Sequence, residues 1–199
     1  MYYFIGIKGS GMAPLAEILH ELGNDVCGSD IDKYIFIEDE LRKRNIPIYS
    51  FDPNNIKDGY TVIIGNAFGD DHEEVKAALA NPNVKCYRYF EFLGKFMENF
   101  ISISIAGTHG KTTTTGMAYH LFKDFAKTTV LIGDGTGYAT KDSKYFIAES
   151  CEFQDHFLHY YPQYAIINNI ELVHGDYFGT LEKYIDSFER FANQDKDTV

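Results

Sequence analysis

The residues whose types and spacing most clearly indicate chemistry form the run Gly107-Thr-His-Gly-Lys-Thr-Thr113, between an alternating apolar segment and a helical pattern. Gly107 and Gly110 allow the backbone N–H groups to turn inward around phosphate oxygens. Lys111 is long enough to reach β- and γ-phosphates, and the Thr112 hydroxyl is a suitable Mg²⁺ ligand. The eight-residue Walker spacing would require glycine where Ile105 stands, so the run is a shortened variant of a phosphate-binding loop.

A second glycine-rich turn, Gly6-Ile-Lys-Gly-Ser-Gly11, stands near the start of the chain, between a strand pattern and a helix pattern. About twenty residues later, Asp30 follows a second strand, where dinucleotide folds place an acid near a ribose hydroxyl. The spacing is G-x-x-G-x-G and Pro14 lies in the first helical turn. The turn therefore predicts either an anion site at a helix N-terminus or a tight turn without a ligand.

Further candidates follow predicted strands in the second half of the chain. Glu149 and Asn169 stand at carboxyl ends of strands, the edge at which open α/β sheets bind ligands. Glu152 and His156 are consistent with facing a substrate or with a solvated helix face. His174 by itself is equally consistent with a surface loop.

The hydrophobic pattern predicts alternating strands and helices, which is typical of a parallel α/β sheet. A stripe of apolar residues, Met12, Leu15, Leu19 and Leu22, predicts the first helix, and the last helix is predicted from Leu181, Tyr184, Ile185, Phe188 and Phe191. The predicted strands are 2–7, 26–28, 61–64, 84–87, 101–105, 129–132, 145–148 and 164–167, and further helices are predicted at 75–79 and 112–122.

Two glycine-rich strand-to-helix turns predict two nucleotide-type domains. We expect an α/β chain with a Rossmann-like N-terminal domain, residues 1–97, whose sheet is parallel, followed by a second nucleotide-type domain, residues 98–199. The resemblance that the motifs carry to a known family implies that this second domain is part of a P-loop ATPase domain. The polar tail from Asn193 to Val199 suits either a frayed terminus or the loop before another strand.

Length and composition limit the class of protein. The 199 residues carry a formal charge of −11, which disfavours nonspecific nucleic-acid binding because phosphate neutralisation needs Lys and Arg. No run approaches 18 apolar residues, so no membrane span is expected. The start MYYFIGIKG has no basic secretory region, and three widely spaced cysteines form no disulfide framework, so we expect a cytoplasmic protein.

Taken together, the motifs resemble the Mur ligase family, the ATP-dependent amino-acid ligases of peptidoglycan precursor synthesis. The run Gly107–Thr114 is similar to the family's ATP-binding signature, and the start Tyr3–Met12 with Gly28-Ser-Asp30 is similar to one branch of the family. Segments 148–152 and 169–178 resemble its acidic metal-binding and N-I-E-x-D-H-x-D segments. Residues 133–137 match a form common in Gram-positive members, so the resemblance extends over essentially the whole chain.

The resemblance implies a reaction in which ATP converts the carboxylate of UDP-N-acetylmuramate to an acyl phosphate, which the amine of L-alanine then displaces. Lys111, Glu149 and His174 would be catalytic, and Thr112, Glu149 and His174 would hold Mg²⁺. The implied ATP-binding residues are Gly107, Thr108, His109, Gly110, Lys111, Thr112 and Thr113.

The first domain would bind the UDP part of the substrate, with no nicotinamide, nucleic acid or membrane as partner. The implied contacts are Gly9, Ser10, Gly11, Met12, Ser29 and Asp30 together with two further candidates, Asn66 and Arg88. Arg88 lies beside aromatic residues and is also consistent with a surface arginine whose stem covers apolar area. Val173 replaces the family's Asp before the histidine, which removes a carboxylate near the expected metal, and Cys151 is expected to serve packing.

Three other functions remain open from the sequence. The chain could be a UDP-sugar-binding module without catalysis, or a muropeptide-recycling or folate-type ligase. A dinucleotide-dependent oxidoreductase would leave the Gly-Lys-Thr run unexplained. Because family members have a longer ATPase domain and a third domain, we expect little ligase activity from these 199 residues alone.

Overall fold

The computed structural model of the chain describes residues 1–173 and 175–194, which form two compact units. The first unit comprises Met1–Phe92 together with Gly137–Lys141, and the second comprises Leu93–Thr136 and the described residues from Asp142 onward. The predicted boundary between residues 97 and 98 stays a prediction. Within the described residues, no helix is long and apolar enough to cross a membrane.

The first sheet is entirely parallel, with strand order β3-β2-β1-β4-β5. Its order reverses between β1 and β4, the position at which open α/β sheets leave a crevice beyond the strand ends. The elements are β1 (Tyr2–Ile5), α1 (Met12–Glu21), β2 (Val26–Ser29), α2 (Glu38–Lys43), β3 (Ile48–Tyr49), a 3-10 turn (Pro53–Asn55), β4 (Thr61–Ile64), α3 (Glu73–Ala80), β5 (Lys85–Arg88) and α4 (Tyr89–Met97).

Buried strands and one helix stripe build the core of the first unit. Ile5, Val62 and Ile64 are at most 2% exposed, as expected for a parallel sheet that is covered on both faces. Met12, Leu15 and Leu19 of the predicted stripe are buried, whereas Leu22 is half-buried and follows the last residue of α1. Strand β1 ends at Ile5, two residues earlier than predicted. The chain turns at Gly6, whose φ of +83° lies in the left-handed region.

The second sheet has the order β10-β6-β9-β7-β8, and the pairs β10–β6, β6–β9 and β9–β7 are parallel. Its elements are β6 (Ile101–Ala106), α5 (Lys111–Phe122), β7 (Thr128–Leu131), β8 (Gly137–Tyr138), β9 (Tyr145–Glu149), a kinked 3-10 segment (Phe153–His159), β10 (Tyr164–Ile167), α6 (Gly175–Phe178) and α7 (Leu181–Ala192). The α/β fold class expected from the sequence is thereby confirmed.

Helices α5 and α7 complete the second unit. Ala118, Tyr119 and Phe122 of α5 pack on a cluster of buried strand residues that includes Ile105 and Ile147. On α7, the predicted residues Tyr184, Phe188 and Phe191 are buried, whereas Leu181 and Ile185 are 42% and 37% exposed. The apolar face of α7 is therefore narrower than the sequence pattern indicates.

Candidate functional site

The second glycine-rich loop occupies residues 107–110, between the carboxyl end of β6 and the first residue of α5. Gly107 has φ +130° and Gly110 has φ +79°, and both angles favour glycine. A Cβ on Gly107 would stand 3.1 Å from the backbone nitrogen of Asn168, so the loop also needs glycine for close packing. Within the loop the N–H groups of Thr108 and His109 donate to Asn169, at 3.1 and 2.9 Å, so an anion is favoured at the N–H groups of the first turn of α5, a twelve-residue helix.

Lys111 lies folded back over this loop. Its Nζ donates hydrogen bonds to the carbonyl oxygens of Gly107 at 2.6 Å and Thr108 at 3.3 Å. The same Nζ lies 2.9 Å from Oε2 of Glu152, whose side chain is only 4% exposed. Glu152 therefore contacts the loop lysine and does not lie on a solvated helix face.

Thr112 and Glu149, which the sequence assigns to the metal, lie together. The Thr112 hydroxyl donates to Oε2 of Glu149 at 2.9 Å, and the backbone N–H of Gly133 donates to the same oxygen at 2.8 Å. A hydroxyl and a carboxylate are the hard oxygen ligands that Mg²⁺ prefers, alongside water and phosphate. Among the described residues no group of three or more His, Cys, Asp or Glu could hold a metal.

His174, the third predicted metal ligand, lies outside the described residues. The preceding segment is described and supports the loop from the neighbouring strand β10. The N–H of His109 donates to Oδ1 of Asn169 at 2.9 Å, and Nδ2 of Asn169 and Asn168 donate to the His109 carbonyl at 3.1 and 3.3 Å. These amides fix the loop's path. The imidazole of His109 remains exposed, 3.9 Å from a carboxylate oxygen of Glu171.

Thr108 is the buried anchor of the loop, whereas the Thr113 side chain is exposed on the first turn of α5. The Thr108 hydroxyl donates to the Glu171 carbonyl and accepts from the Glu171 N–H, both at 2.9 Å. It also lies 3.1 Å from the hydroxyl of Tyr184, a fully buried residue of α7. Sequence reasoning missed Asn168, Gly133 and Tyr184, and only Gly133, within a glycine-rich turn, carried a local signal.

Burial also perturbs two residues of the segment after Glu149. It raises the pKa of the Cys151 thiol and lowers the pKa of His156 to about 4. Cys151 is therefore protonated and unreactive at neutral pH, in line with the packing role expected of it. His156 is neutral at that pH.

In the first unit, the glycine turn of residues 6–11 places three of its predicted ligand residues at the start of α1. Gly9 and Ser10 are exposed and Gly11 precedes the helix, while Met12 is buried beneath the turn. A Cβ on Gly11 would stand 2.7 Å from the Tyr89 hydroxyl, so the turn and this tyrosine are closely packed. The exposed part of this turn is therefore Gly9 and Ser10, whose backbone and whose one side-chain hydroxyl are available to a ligand.

The acid predicted to meet a ribose stabilises the turn. Asp30 is 8% exposed, and its two carboxylate oxygens accept the N–H groups of Lys8 at 2.7 Å and Ile31 at 2.8 Å. The Ser29 hydroxyl is fully buried and donates to Glu74. Both predicted residues thus hold structural contacts below the turn.

The remaining predicted contacts lie at the same edge of the first sheet, where Asn66 follows β4 and Arg88 is the last residue of β5. Asn66 is exposed. Arg88 donates through Nη1 to the Phe68 carbonyl at 2.6 Å and pairs with Asp70. The structure therefore gathers the predicted first-unit residues at one sheet edge and fixes Arg88 to the turn of residues 68–70.

An α/β fold with a phosphate-type loop in its second unit is typical of nucleotide-binding proteins. Comparison with known proteins identifies the family. Residues 1–101 match the Mur ligase family, catalytic domain, and residues 105–198 match the Mur ligase middle domain. The chain belongs to the Mur ligase family.

Named relatives narrow the resemblance. The chain is 52% identical over 198 residues to the UDP-N-acetylmuramate–L-alanine ligase of Lacticaseibacillus paracasei and 51% identical to that of Lacticaseibacillus casei. Each match covers all of this chain and 45% of the relative, so the chain spans a little under half the length of these curated relatives.

Solved structures of two ligases have the same fold. A UDP-N-acetylmuramate:L-alanyl-gamma-D-glutamyl-meso-diaminopimelate ligase from Neisseria meningitides superposes with a TM-score of 0.80 at 29% identity, covering 98% of this chain and 68% of that one. The UDP-N-acetylmuramate-alanine ligase of Thermotoga maritima superposes with a TM-score of 0.79 at 29% identity, and the match covers 99% of this chain and 48% of that one.

Proposed function

We propose that this chain contributes the UDP-sugar-binding and ATP-binding parts of an enzyme that joins L-alanine to UDP-N-acetylmuramate in peptidoglycan precursor synthesis. The observation that carries the proposal is the meeting of Lys111, Thr112 and Glu149 at the N-terminus of α5. The identity of more than half to L-alanine ligases favours this substrate pair.

ATP is the proposed nucleotide of the loop at residues 107–113. The backbone N–H groups and the helix N-terminus favour the phosphates, and Lys111 supplies a positive charge close to them. Thr112 and Glu149 would hold Mg²⁺, with His174 proposed as a ligand of a second ion. When bound, Mg²⁺ would neutralise charge on the phosphates, so that an anionic carboxylate can approach them.

The proposed site for the UDP part is the edge of the first sheet, within residues 1–97. Gly9, Ser10 and Gly11 form the proposed contact at the start of α1. The Gly9 N–H donates to the Gly6 carbonyl at 3.1 Å, so Ser10 and Gly11 would supply the backbone N–H groups, and Asn66 offers an exposed amide. Residues 98–199 form the proposed ATP-binding part. We also propose a cytoplasmic location, which three free cysteines support because reducing compartments keep thiols unpaired.

The overall reaction that these residues would serve has two steps. The carboxylate oxygen of the sugar acid attacks the γ-phosphorus of ATP, forming an acyl phosphate and ADP. The amine of L-alanine then attacks the acyl carbon, phosphate leaves, and the amine loses a proton. Lys111 serves the first step by holding a positive charge beside the transferred group.

Phosphate release in the presence of ATP and Mg²⁺, measured on a full-length ligase that contains these residues, tests this proposal, because little release is expected from the 199 residues alone. We expect release to require both UDP-N-acetylmuramate and L-alanine, and to fall at least about a hundredfold in Lys111→Ala, in line with the loss of a preorganised charge.

Two further arms separate the alternatives. Turnover with the tripeptide L-alanyl-γ-D-glutamyl-meso-diaminopimelate and not with L-alanine would favour the second ligase activity, which the Neisseria structure supports. UDP-N-acetylmuramate binding without ATP binding would indicate a non-catalytic module and overturn the proposal.

A further inference from the structure

The loop lysine has a carboxylate partner that neither its motif nor its reaction requires. Glu152 Oε2 lies 2.9 Å from Nζ of Lys111, and the two side chains are 4% and 15% exposed. A charge pair so shielded from water is stronger than a surface pair, and losing one partner leaves the other charge uncompensated. The positive charge of Lys111 is therefore already compensated by the carboxylate of Glu152 when no phosphate is bound.

The position of Glu152 is imposed by the structure around it. The next turn contains Gln154 and Asp155, two successive residues with positive φ of +53° and +60°. Left-handed backbone at residues other than glycine persists only where its surroundings enforce it. Here the Ser187 hydroxyl donates to Asp155, and Arg190 lies 3.9 Å from the same carboxylate.

Helix α7 therefore braces the acidic segment, and it also touches the loop. The hydroxyl of Tyr184 lies 3.1 Å from Oγ1 of Thr108 and 3.5 Å from Oε1 of Glu152. The ring of Tyr184 is fixed by edge contacts with Phe178 and Phe188, at centroid distances of 4.7 and 5.2 Å. One rigid residue thus links the loop to the carboxylate that holds its lysine.

We propose that Glu152 is a positioning residue that holds Lys111 against the loop and competes with nucleotide phosphates for its ammonium group. This inference rests on the proposed function of the loop as an ATP site. A phosphate oxygen that takes Lys111 must displace the carboxylate, because the two anions would otherwise share one cation at close range. Glu152 thus keeps the loop ordered and lowers its affinity for nucleotide.

The sign of the effect distinguishes this role from a structural one. A variant that merely loosens the loop binds nucleotide more weakly, whereas removal of a competing anion strengthens binding. In Glu152→Gln the amide keeps nearly the same shape and its oxygen can still accept from Tyr184, but the negative charge is gone. Glu152→Asp keeps the charge on a side chain that is shorter by one methylene.

Isothermal titration with ADP and Mg²⁺ tests the proposal. We expect Glu152→Gln to bind about three- to tenfold more tightly than the unmodified chain, the scale of one charge removed from a partly shielded site. The ADP affinity of Glu152→Asp should lie between that of Glu152→Gln and that of the unmodified chain. The matched control is Glu17→Gln, which removes a carboxylate that is also 4% exposed and also lies near a cation, here the Arg44 guanidinium, but in the first unit. Its ADP affinity should equal that of the unmodified chain.

Equal or weaker ADP binding by Glu152→Gln, while the unmodified chain and Glu17→Gln bind, would overturn the inference and leave the proposed function intact. Absence of ADP binding in the unmodified chain would overturn the proposed function together with the inference. Circular dichroism melting of each variant shows whether it is folded. If Glu152→Gln does not fold, Glu152→Asp must bind more tightly than the unmodified chain, and equal or weaker binding by it overturns the inference.

Discussion

Glu17 on α1 should make the stability of the chain fall as the pH rises from 4.5 to about 7. Its carboxylate is 4% exposed, and the nearest cation is Arg44, at 3.4 Å. Burial raises the pKa of Glu17 from 4.5 to about 7, against the attraction of Arg44 and with repulsion from Glu40 and Glu21. The folded protein therefore holds a proton on Glu17 more tightly than the unfolded chain does.

The size of the effect follows from the two pKa values. A group whose pKa is raised by folding contributes stability that is complete below pH 4.5 and is lost as the pH rises to about 7. A pKa change of one corresponds to about 1.4 kcal/mol, so the free energy of unfolding should lose roughly 3 kcal/mol across this window. Glu17→Gln stays neutral and should not show this loss.

Urea unfolding of the unmodified chain and Glu17→Gln at pH values from 4.5 to 8 measures the difference directly. We expect the free energy of unfolding of Glu17→Gln to rise steadily relative to that of the unmodified chain as the pH rises. The difference should be largest near pH 8. Glu182→Gln on α7 is the control, because hydrogen bonds with its own backbone and with Thr180 lower the pKa of the exposed Glu182, so its contribution has the opposite sign. A difference between Glu17→Gln and the unmodified chain that stays constant over the whole range would refute the reasoning.

Two further substitutions test the supports of the two loops, each against a matched control. Gly6→Ala should destabilise the chain by more than Gly23→Ala in thermal melting, because both have positive φ but only the Cβ at Gly6 would meet a neighbour, at 2.2 Å from the Phe68 ring; equal losses would contradict this. Tyr184→Phe should weaken ADP binding about two- to fivefold in titration, on the scale of one neutral hydrogen bond, since Thr108 loses its brace. Tyr3→Phe, which removes another buried hydroxyl but in the first unit, should leave ADP binding unchanged, and an equal loss in both variants would contradict the role of Tyr184.

Most of the fold could be predicted because apolar runs and helical stripes carry local signals. Strands β4 and β10 appear at the predicted residues, and α5 begins one residue before its predicted start. Helix α2 and strand β3 were not predicted. Helix α2 has six residues and one buried apolar side chain, Leu41, and its buried Glu38 is held by an ion pair with Lys8 from a distant loop. Strand β3 has only two residues, too few for a periodic pattern.

In the candidate site, too, some residues could be predicted from the sequence and others could not. The glycines and Lys111 of the loop follow one another in sequence, so a spacing argument finds them. The partners of the loop come from elements that are far along the chain, such as Tyr184 on α7, 76 residues from Thr108. Such partners are set by how the strands and helices pack, which no local pattern records. Asp30 and Ser29 show the converse, because residue types typical of ligand contacts here satisfy buried backbone and side-chain groups.

The most direct test of the account is the affinity of the loop for ATP with and without its lysine. Isothermal titration with ATP and Mg²⁺ should show binding by the unmodified chain and at least about tenfold weaker binding by Lys111→Met, because a charged hydrogen-bond donor to phosphate is lost. Lys123→Met, at the exposed opposite end of the same helix, should bind as the unmodified chain does. Equal ATP affinity in the unmodified chain and Lys111→Met would contradict the assignment of this loop as the nucleotide site.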